Sequence, residues 1–252
     1  MKKRKPLEGI TVVFIGAGNA GTHLADAFRK AGASIPQIVR RTEKGLFTNK
    51  FNAEADIYII AVPDDAIADV VKTMPEVEGI VAHTSGSVSL DALKRFKKHG
   101  VFYPIQSLSK KRTLTINAFP ICIEGNTDEV AEELMECAGG ISKHAYILNS
   151  EERMNVHLAA VFANNFSNHM FVVADEILAK NNLPFDLLKP LILETAFKVT
   201  EMTPAQAQTG PAMRKDKKTI AKHKKLLTGN KKAAAIYTTV TDGISSAVKK
   251  KK

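Results

Sequence analysis

The sequence predicts a doubly wound α/β domain with a mostly parallel sheet, followed by an all-helical domain. Residues 1–148 alternate short apolar, β-branched runs with segments of helical periodicity, which is the pattern of a parallel sheet covered by helices on both faces. Residues 149–252 contain no strand pattern. We therefore expect one domain built on this sheet over 1–148 and a helical domain over 149–252.

The first element is a buried strand that runs directly into a glycine-rich turn. The apolar run 10–15 is followed by Gly16-Ala17-Gly18-Asn19-Ala20-Gly21, and helical spacing begins at Asn19 and continues to Ala31. This is the G-x-G-x-x-G fingerprint of a Rossmann unit, in which glycines let the backbone approach a pyrophosphate at a helix N-terminus. A glycine turn without a ligand is the alternative, but a strand before it and a helix after it favour dinucleotide binding. The expected cofactor contacts here are Gly16, Gly18, Asn19, Ala20 and Gly21.

The end of the second strand predicts which nicotinamide cofactor is bound. NAD-binding units usually carry an acidic residue there for the ribose hydroxyls, whereas this chain has Arg40 and Arg41 after the run 37–39. Guanidinium groups suit the 2′-phosphate of NADP because they can bind phosphate through two hydrogen bonds. The sequence therefore favours NADP, with a solvated surface pair as the alternative.

The remaining elements of the first domain follow in order. Strands are expected at 56–63, 79–83, 101–104, 120–124 and 144–147, and helices at 66–73, 90–98 and 128–138. In the second domain, helices are expected at 151–181, 185–202, 216–227 and 233–248. Pro190 either kinks the second of these helices or separates a short first piece. A loop is expected over 203–214, which is rich in Pro, Gly and Gln.

Composition restricts the function classes. The formal net charge is +10, but the two terminal runs of basic residues supply eight charges and leave about +2 for the rest of the 252-residue chain. Trp is absent and aromatic residues are few, so nucleic acid is not an expected partner. No apolar run approaches the length of a membrane span, and two cysteines make neither a disulfide framework nor a metal site. We expect a cytoplasmic protein without a metal or a membrane partner.

Polar residues at strand ends are candidates for chemistry, because ligands of open parallel sheets bind beyond the carboxyl ends of the strands. His83 can exchange protons near neutral pH, and Ser85 can bond to a substrate or cofactor. Val62 and Pro63 end another strand and are expected to contact the cofactor. A turn that merely caps the next helix is the alternative for the segment 84–87.

The first helix of the second domain carries a polar stripe on an otherwise apolar surface. At α-helical spacing, His157, Asn164, Asn165 and Asn168 share one face. Such groups are costly to bury unless they are hydrogen-bonded, so the stripe either faces a polar cleft or bonds within the core. Further along, Arg214 could bind a substrate carboxylate, or could pair with Asp216 within its own loop.

Taken together, these segments resemble one family. The glycine turn, the runs 61–64 and 83–86, the pair Asn164-Asn165 and the Thr-Gly-Pro-x-x-Arg-x-Asp run 209–216 are similar to bacterial proteins assigned as NADP oxidoreductases, which have a Rossmann-like domain and a helical domain of unknown function. The fold is similar to that of pyrroline-5-carboxylate reductase and the β-hydroxyacid dehydrogenases. The dehydrogenases have a lysine as acid/base three residues before the Asn pair, and this chain has Val161 there, which cannot transfer a proton.

The residues and the resemblance together give a functional expectation. We expect an oxidoreductase that uses NADP to transfer hydride to or from a small carbonyl or imine substrate in the interdomain cleft. The catalytic candidates are His157, Ser85, His83 and Asn165, and the substrate-binding candidates are Asn164, Asn168 and Arg214. A homodimer is expected. The alternative is a non-enzymatic NADP sensor or assembly protein, since fold does not fix function.

Overall fold

The structure is a computed structural model that describes residues 5–40, 51–109 and 119–249. The chain divides into two compact units, Met1–Asn165 and Phe166–Lys252. This division falls within the long helical segment, later than the 148/149 boundary expected from the loss of the strand pattern. The first helical turns after the sheet therefore belong to the first compact unit.

The first unit is built on a seven-stranded sheet in the order β2-β1-β3-β4-β5-β6-β7. Every neighbouring pair is parallel except β5 and β6, which are antiparallel. The strands are β1 (Thr11–Ile15), β2 (Ser34–Val39), β3 (Ile57–Ile60), β4 (Ile80–His83), β5 (His99–Pro104), β6 (Ile121–Gly125) and β7 (Ala145–Ile147). The predicted doubly wound, mostly parallel sheet is confirmed.

Helices cover both faces of this sheet. They are α1 (Asn19–Ala31), α2 (Ile67–Thr73), α3 (Asp128–Ile141) and α4 (Ser150–Ala160), with 3₁₀ turns at Asp64–Ala66 and Leu90–Leu93. Alternate residues of β1 enter two separate cores: Phe14 packs with Phe28 of α1 and Phe102 of β5, whereas Val13 and Ile15 pack on the opposite side. A strand buried on both faces explains why β1 reads as a continuous apolar run.

One predicted helix of this unit is wrong. The segment 90–98 forms only the 3₁₀ turn Leu90–Leu93, and β5 already begins at His99. Ser89 caps the turn by accepting a hydrogen bond from the Asp91 N–H. The side chain of Arg95 reaches back to the carbonyl oxygen of Val71 at 2.6 Å. This tertiary anchor and the early start of β5 leave no room for further helical turns.

The second unit is helical, as predicted. Its helices are α5 (Ser167–Ala179), α6 (Lys189–Glu201), α7 (Pro204–Ala207), α8 (Lys217–Leu226) and α9 (Lys231–Lys249), with a 3₁₀ turn at Phe185–Leu188 before α6. Pro190 stands in the first turn of α6, so it separates the short first piece rather than kinking a longer helix. The expected loop 203–214 contains α7, which a capping box between Thr203 and Gln206 stabilises.

The helical segment after β7 is not a uniform α-helix. Residues Val161–Phe166 form a π-helical turn between α4 and α5. The 100° spacing that predicted one shared face for His157, Asn164, Asn165 and Asn168 does not hold through such a turn, in which each hydrogen bond spans one extra residue. The predicted continuous α-helix is therefore interrupted here, and the sharing of one face by these four side chains stays a prediction.

Within the described residues, no helix is both long enough and apolar enough to span a bilayer.

Candidate functional site

The three motif glycines of the turn after β1 have three different physical roles. Gly16 has φ of +107°, and a Cβ there would collide with the carbonyl of Ala61 beside it. A Cβ at Gly21 would strike the carbonyl oxygen of Gly16, so this glycine allows α1 to pack against the turn. Gly18 is exposed, and a Cβ there would meet nothing nearer than 3.9 Å. The side of the turn at Gly18 is therefore open to a ligand.

The N-terminus of α1 lies at this open position. Gly18 is the N-cap, no side chain caps the helix, and no acidic residue stands in its first turn. Such an end presents backbone N–H groups and a partial positive charge, which together suit a pyrophosphate. This geometry is compatible with the expected cofactor contacts of residues 16–21, which stay a prediction.

The end of β2 lies beside the same turn. The Gly16 N–H donates to the carbonyl oxygen of Val39 at 2.9 Å, and Arg40 follows directly as an exposed residue. Val62 and Pro63 follow β3, the strand on the other side of β1, and Val62 lies against Gly16. Arg41, the second arginine of the NADP prediction, lies outside the described residues.

The loop after β4 is tightly organised by its own side chains. His83 is fully buried, its Nδ1 accepts from the Ser85 N–H at 3.2 Å, and its Nε2 lies 3.4 Å from the carbonyl oxygen of Ser89. The Ser85 hydroxyl accepts from the N–H groups of Ser87 and Val88. These bonds match the capping-turn alternative for the segment 84–87. Burial, with the nearby charge of Arg153 as a second cause, lowers the pKa of His83 to about 4, so its ring is neutral at pH 7.

Helix α4 places a row of polar side chains beside this loop. A capping box between Asn149 and Glu152 fixes where the helix begins. Ser150, Arg153 and His157 then fall at positions i, i+3 and i+7 and share one face. Each makes a hydrogen bond or close polar contact with the sheet or the loop that follows β4, so this face is the one that builds the site.

Tyr103 and His157 form a pair at the carboxyl end of β5. The Tyr103 hydroxyl lies 3.0 Å from Nδ1 of His157, and both residues are half-buried. Gly86 of the β4 loop packs against both rings, and any Cβ at position 86 would collide with them. Burial raises the pKa of Tyr103, so the phenol keeps its proton at neutral pH. The pair therefore holds an exchangeable proton at the same sheet edge as the glycine turn.

A buried ion pair lies behind these residues. Arg153 is 1% exposed and donates to the Glu124 carboxylate of β6, whose side chain is 12% exposed, at 3.0 Å. It also donates to the carbonyl oxygen of Ser85 and to the Ser150 hydroxyl, both at 3.1 Å. One guanidinium thus ties α4, β6 and the β4 loop together. Its bond to Ser85 fixes the peptide group that precedes Gly86.

The other predicted site residues are placed as follows. Asn164 and Asn165 are exposed on the π-helical turn, and Val161 at its start is half-buried. Asn168 and Arg214 belong to the second compact unit and are exposed there. The structure brings His157 to the loop containing Ser85 and His83. Among the described residues, no hydrogen bond joins Asn164 or Asn165 to His157, Ser85 or His83.

Sequence reasoning missed Tyr103, Glu124 and Arg153. The signal for Tyr103 was a polar hydroxyl near the end of the strand predicted over 101–104. Glu124 is an acid at the end of an otherwise apolar strand, and such a charge needs a buried partner. That this partner is Arg153, 29 positions later, depends on how α4 packs.

Comparison with known proteins agrees with these features. The family model described as "Domain of unknown function (DUF2520)" matches residues 119–244. A crystal structure described as a "putative NADP oxidoreductase" from Bacteroides fragilis has 37% sequence identity and a TM-score of 0.86, covering 94% of this chain and 98% of that chain. This chain belongs to the DUF2520 family. The resemblance stated from the sequence is thereby confirmed.

Two further solved structures share the fold of this DUF2520 protein at low sequence identity. Pyrroline-5-carboxylate reductase from Streptococcus pyogenes is 12% identical with a TM-score of 0.60, and the match covers 94% of this chain and 98% of that one. A reductive aminase from Aspergillus terreus, solved with NADPH and ethyl levulinate, is 12% identical with a TM-score of 0.66 and covers 96% and 94%. No protein of curated function matches the chain in sequence.

Proposed function

We propose that this DUF2520 protein is an NADP-dependent oxidoreductase that acts on a small carbonyl or imine compound. The observation that carries the proposal is the juxtaposition, at one sheet edge, of an open glycine cradle and the Tyr103–His157 pair. β1, β3, β4 and β5 are parallel, so their carboxyl ends all open on this edge. The name of the Bacteroides fragilis relative supports the same class of activity.

The glycine-rich turn and the residues around it have the space and the hydrogen-bond donors that a dinucleotide cofactor needs. Gly18 leaves space for the pyrophosphate, and the uncapped start of α1 supplies N–H donors. Arg40 at the end of β2 offers a guanidinium to the 2′-phosphate that distinguishes NADP from NAD. A bound nicotinamide cofactor would supply the hydride. The protein has to orient the reactants, exclude water and manage the proton.

We assign the proton to Tyr103 and His157. Reduction of a carbonyl or imine places negative charge on oxygen or nitrogen, and a neutral phenol bonded to an imidazole can protonate that atom. In one tautomer the phenol donates to Nδ1 and the imidazole Nε2–H is the outward donor; in the other, Nδ1–H donates to the phenol oxygen and the phenol O–H is the outward donor. Either arrangement offers one donor, so the lysine missing at Val161 is not required.

In this proposal His83 and Ser85 are positioning residues. The ring of His83 is neutral and both of its nitrogens face backbone groups of the β4 loop. Ser85 holds the turn through its hydroxyl and is held by Arg153 through its carbonyl. Together they fix Gly86, against which the Tyr103 and His157 rings pack.

The experiment is NADPH oxidation against a panel of imines and short keto acids, with binding of NADPH measured separately. His157→Gln and Tyr103→Phe should each lower turnover by roughly 10²–10⁴-fold with NADPH affinity nearly unchanged. Full turnover in both variants, or a lowered melting temperature with full turnover, would contradict the assignment of the proton. An NADP sensor without catalysis would bind the cofactor normally and show no turnover in any variant.

We also propose that the protein is a homodimer formed through its helical unit. Within residues 166–247 only Ala212, Ala233 and Thr241 are buried, whereas large apolar residues such as Leu191, Leu193 and Phe197 are 58–63% exposed. Burial of one such side chain contributes about 1.5–3 kcal/mol, so a second copy covering this surface would stabilise the unit substantially. A dimer with two-fold symmetry is the commonest closed homo-oligomer.

A further inference from the structure

The helical unit contains a cavity that the proposed reaction does not use. It has a volume of about 340 Å³ and lies between α5, the loop 209–212, α8 and α9. This volume falls within the range of pockets for small organic molecules. All of its lining residues belong to the second compact unit, so the cavity is defined without reference to the nucleotide-binding unit.

The wall of this cavity is mainly aliphatic. Val173 of α5, Leu227 after α8 and Ile236 of α9 are among the residues that line it. A surface of this kind favours a ligand with an apolar body, because burying that body removes hydrocarbon from water. The Thr-Gly-Pro run that begins at Thr209 forms another side, and Gly210 there has φ of +108° with open space around its α-carbon.

Polar groups are few in the cavity, and they can all donate hydrogen bonds. Nδ1 of His223 lies 2.9 Å from the Tyr237 hydroxyl, with the two rings edge to face. Thr241 is 9% exposed, and its hydroxyl has no hydrogen-bond partner within the described part of the chain. Thr209 adds a further hydroxyl. One donor of the His223–Tyr237 pair is used between its two members and the other can point outward, so that with the threonine hydroxyls the cavity can offer several donors to an acceptor with several lone pairs.

The charge near the cavity is mainly positive, although α5 and α9 also carry the exposed acids Asp175, Glu176 and Asp242. Residues 214–232 contain nine lysines and arginines, all exposed, and a single acid, Asp216. Among the described residues none of these nine side chains forms an ion pair. Lys222 and Lys224 flank His223, and Arg214 follows the lining residue Ala212 by two positions. The positive potential of such a segment attracts anions.

We propose that this cavity binds a monocarboxylic acid with an apolar body, with the carboxylate at the His223–Tyr237 pair and the hydrocarbon against the aliphatic wall. Cationic surroundings, hydrogen-bond donors and an apolar interior together match this chemistry. A neutral apolar molecule would leave the donors unused, and an amphipathic cation would be repelled. The inference does not depend on hydride transfer, because no residue of the first unit takes part.

The test is calorimetric titration of the full chain with octanoate, and with octylammonium as the probe of opposite charge. Octanoate should bind and octylammonium should not. Raising the salt concentration should weaken octanoate binding, because the charges that attract it are exposed. Tyr237→Phe should weaken it by roughly ten- to hundredfold through loss of one hydrogen bond to a charged group.

Two controls make the result decisive. Tyr146→Phe makes the same chemical change at an exposed residue of the first unit and should leave octanoate affinity unchanged. Unaltered NADPH binding in Tyr237→Phe, together with an unchanged circular dichroism spectrum, would show that the variant is folded. Failure of octanoate to bind at millimolar concentration would overturn the inference, and would be the result if a second copy of the chain filled the cavity. Equal binding of octylammonium, or full affinity in Tyr237→Phe, would also overturn it.

Discussion

Replacing Arg153 by methionine should destabilise the first unit strongly. The substitution keeps an unbranched apolar stem but removes the partner of the Glu124 carboxylate, and it removes the donors to Ser85 and Ser150. Breaking one side of a buried ion pair leaves a charge in a poorly solvated place, which costs about 3–5 kcal/mol. Arg153 is 1% exposed and the Glu124 side chain 12% exposed, so we expect a value in that range rather than that of a surface pair.

The measurement is urea denaturation of three variants: Arg153→Met, Glu124→Leu, and the double variant that carries both substitutions. The double variant should recover a large part of the loss, because removing both charges also removes the unpaired carboxylate. Lys98→Met serves as the matched control, since Lys98 pairs with Glu133 at 3.1 Å but both side chains are about half exposed, at 45% and 52%. Lys98→Met should lower the free energy of unfolding by less than about 1 kcal/mol. A loss in Arg153→Met no larger than the control's would refute the reasoning about burial.

The free energy of unfolding should fall by about 3 kcal/mol between pH 6.5 and pH 4 because of His83 alone. Above pH 6.5 the His83 ring is neutral in the folded and the unfolded chain. Between pH 6.5 and pH 4 only the unfolded chain takes up the proton, so acidification favours unfolding. Urea titrations at several pH values should show this slope in the native chain and lack it in His83→Gln. Arg40→Ala with Arg41→Ala should weaken NADP far more than NAD, and equal losses by calorimetry would remove the NADP assignment. Gly18→Val should abolish binding of both cofactors while leaving the melting temperature nearly unchanged, because a side chain there occupies only the ligand's space. Light scattering at micromolar concentration should give the mass of a dimer, and Phe197→Glu should shift it toward the monomer.

The pH prediction also separates two roles for His83. If the β4 loop requires the neutral form of His83, acidification lowers the free energy of unfolding. A catalytic acid at this position would instead have to hold a proton near pH 7. The buried position and the backbone partners of the ring favour the first role. A turnover profile that followed a group with a pKa near 7, together with a flat stability profile in this window, would favour the second.

The sequence by itself determined the fold class and the glycine-rich turn after β1. The apolar run before Gly16 and the helix after Gly21 are local patterns, whereas the close approach that excludes a side chain at Gly16 comes from Ala61, on the chain that follows β3. Strand–helix alternation likewise predicted most of the sheet, because parallel strands that are buried on both faces consist of continuous apolar residues. Family membership followed from motifs spread over both units. These features depend on short-range stereochemistry and on periodicity, which a single sequence contains.

The tertiary structure decided what the sequence could not. The Tyr103–His157 contact joins residues 54 positions apart, and the Arg153–Glu124 pair joins residues 29 apart, so neither has a local signature. The π-helical turn at Val161–Phe166 changed the phase on which the predicted stripe depended. The β4 loop uses the hydroxyl of Ser85 and the ring of His83 for its own hydrogen bonds, which is why we propose Tyr103 and His157 as the proton donors instead. Which polar groups are already satisfied is a property of packing, because each partner is brought there by a different element of the fold.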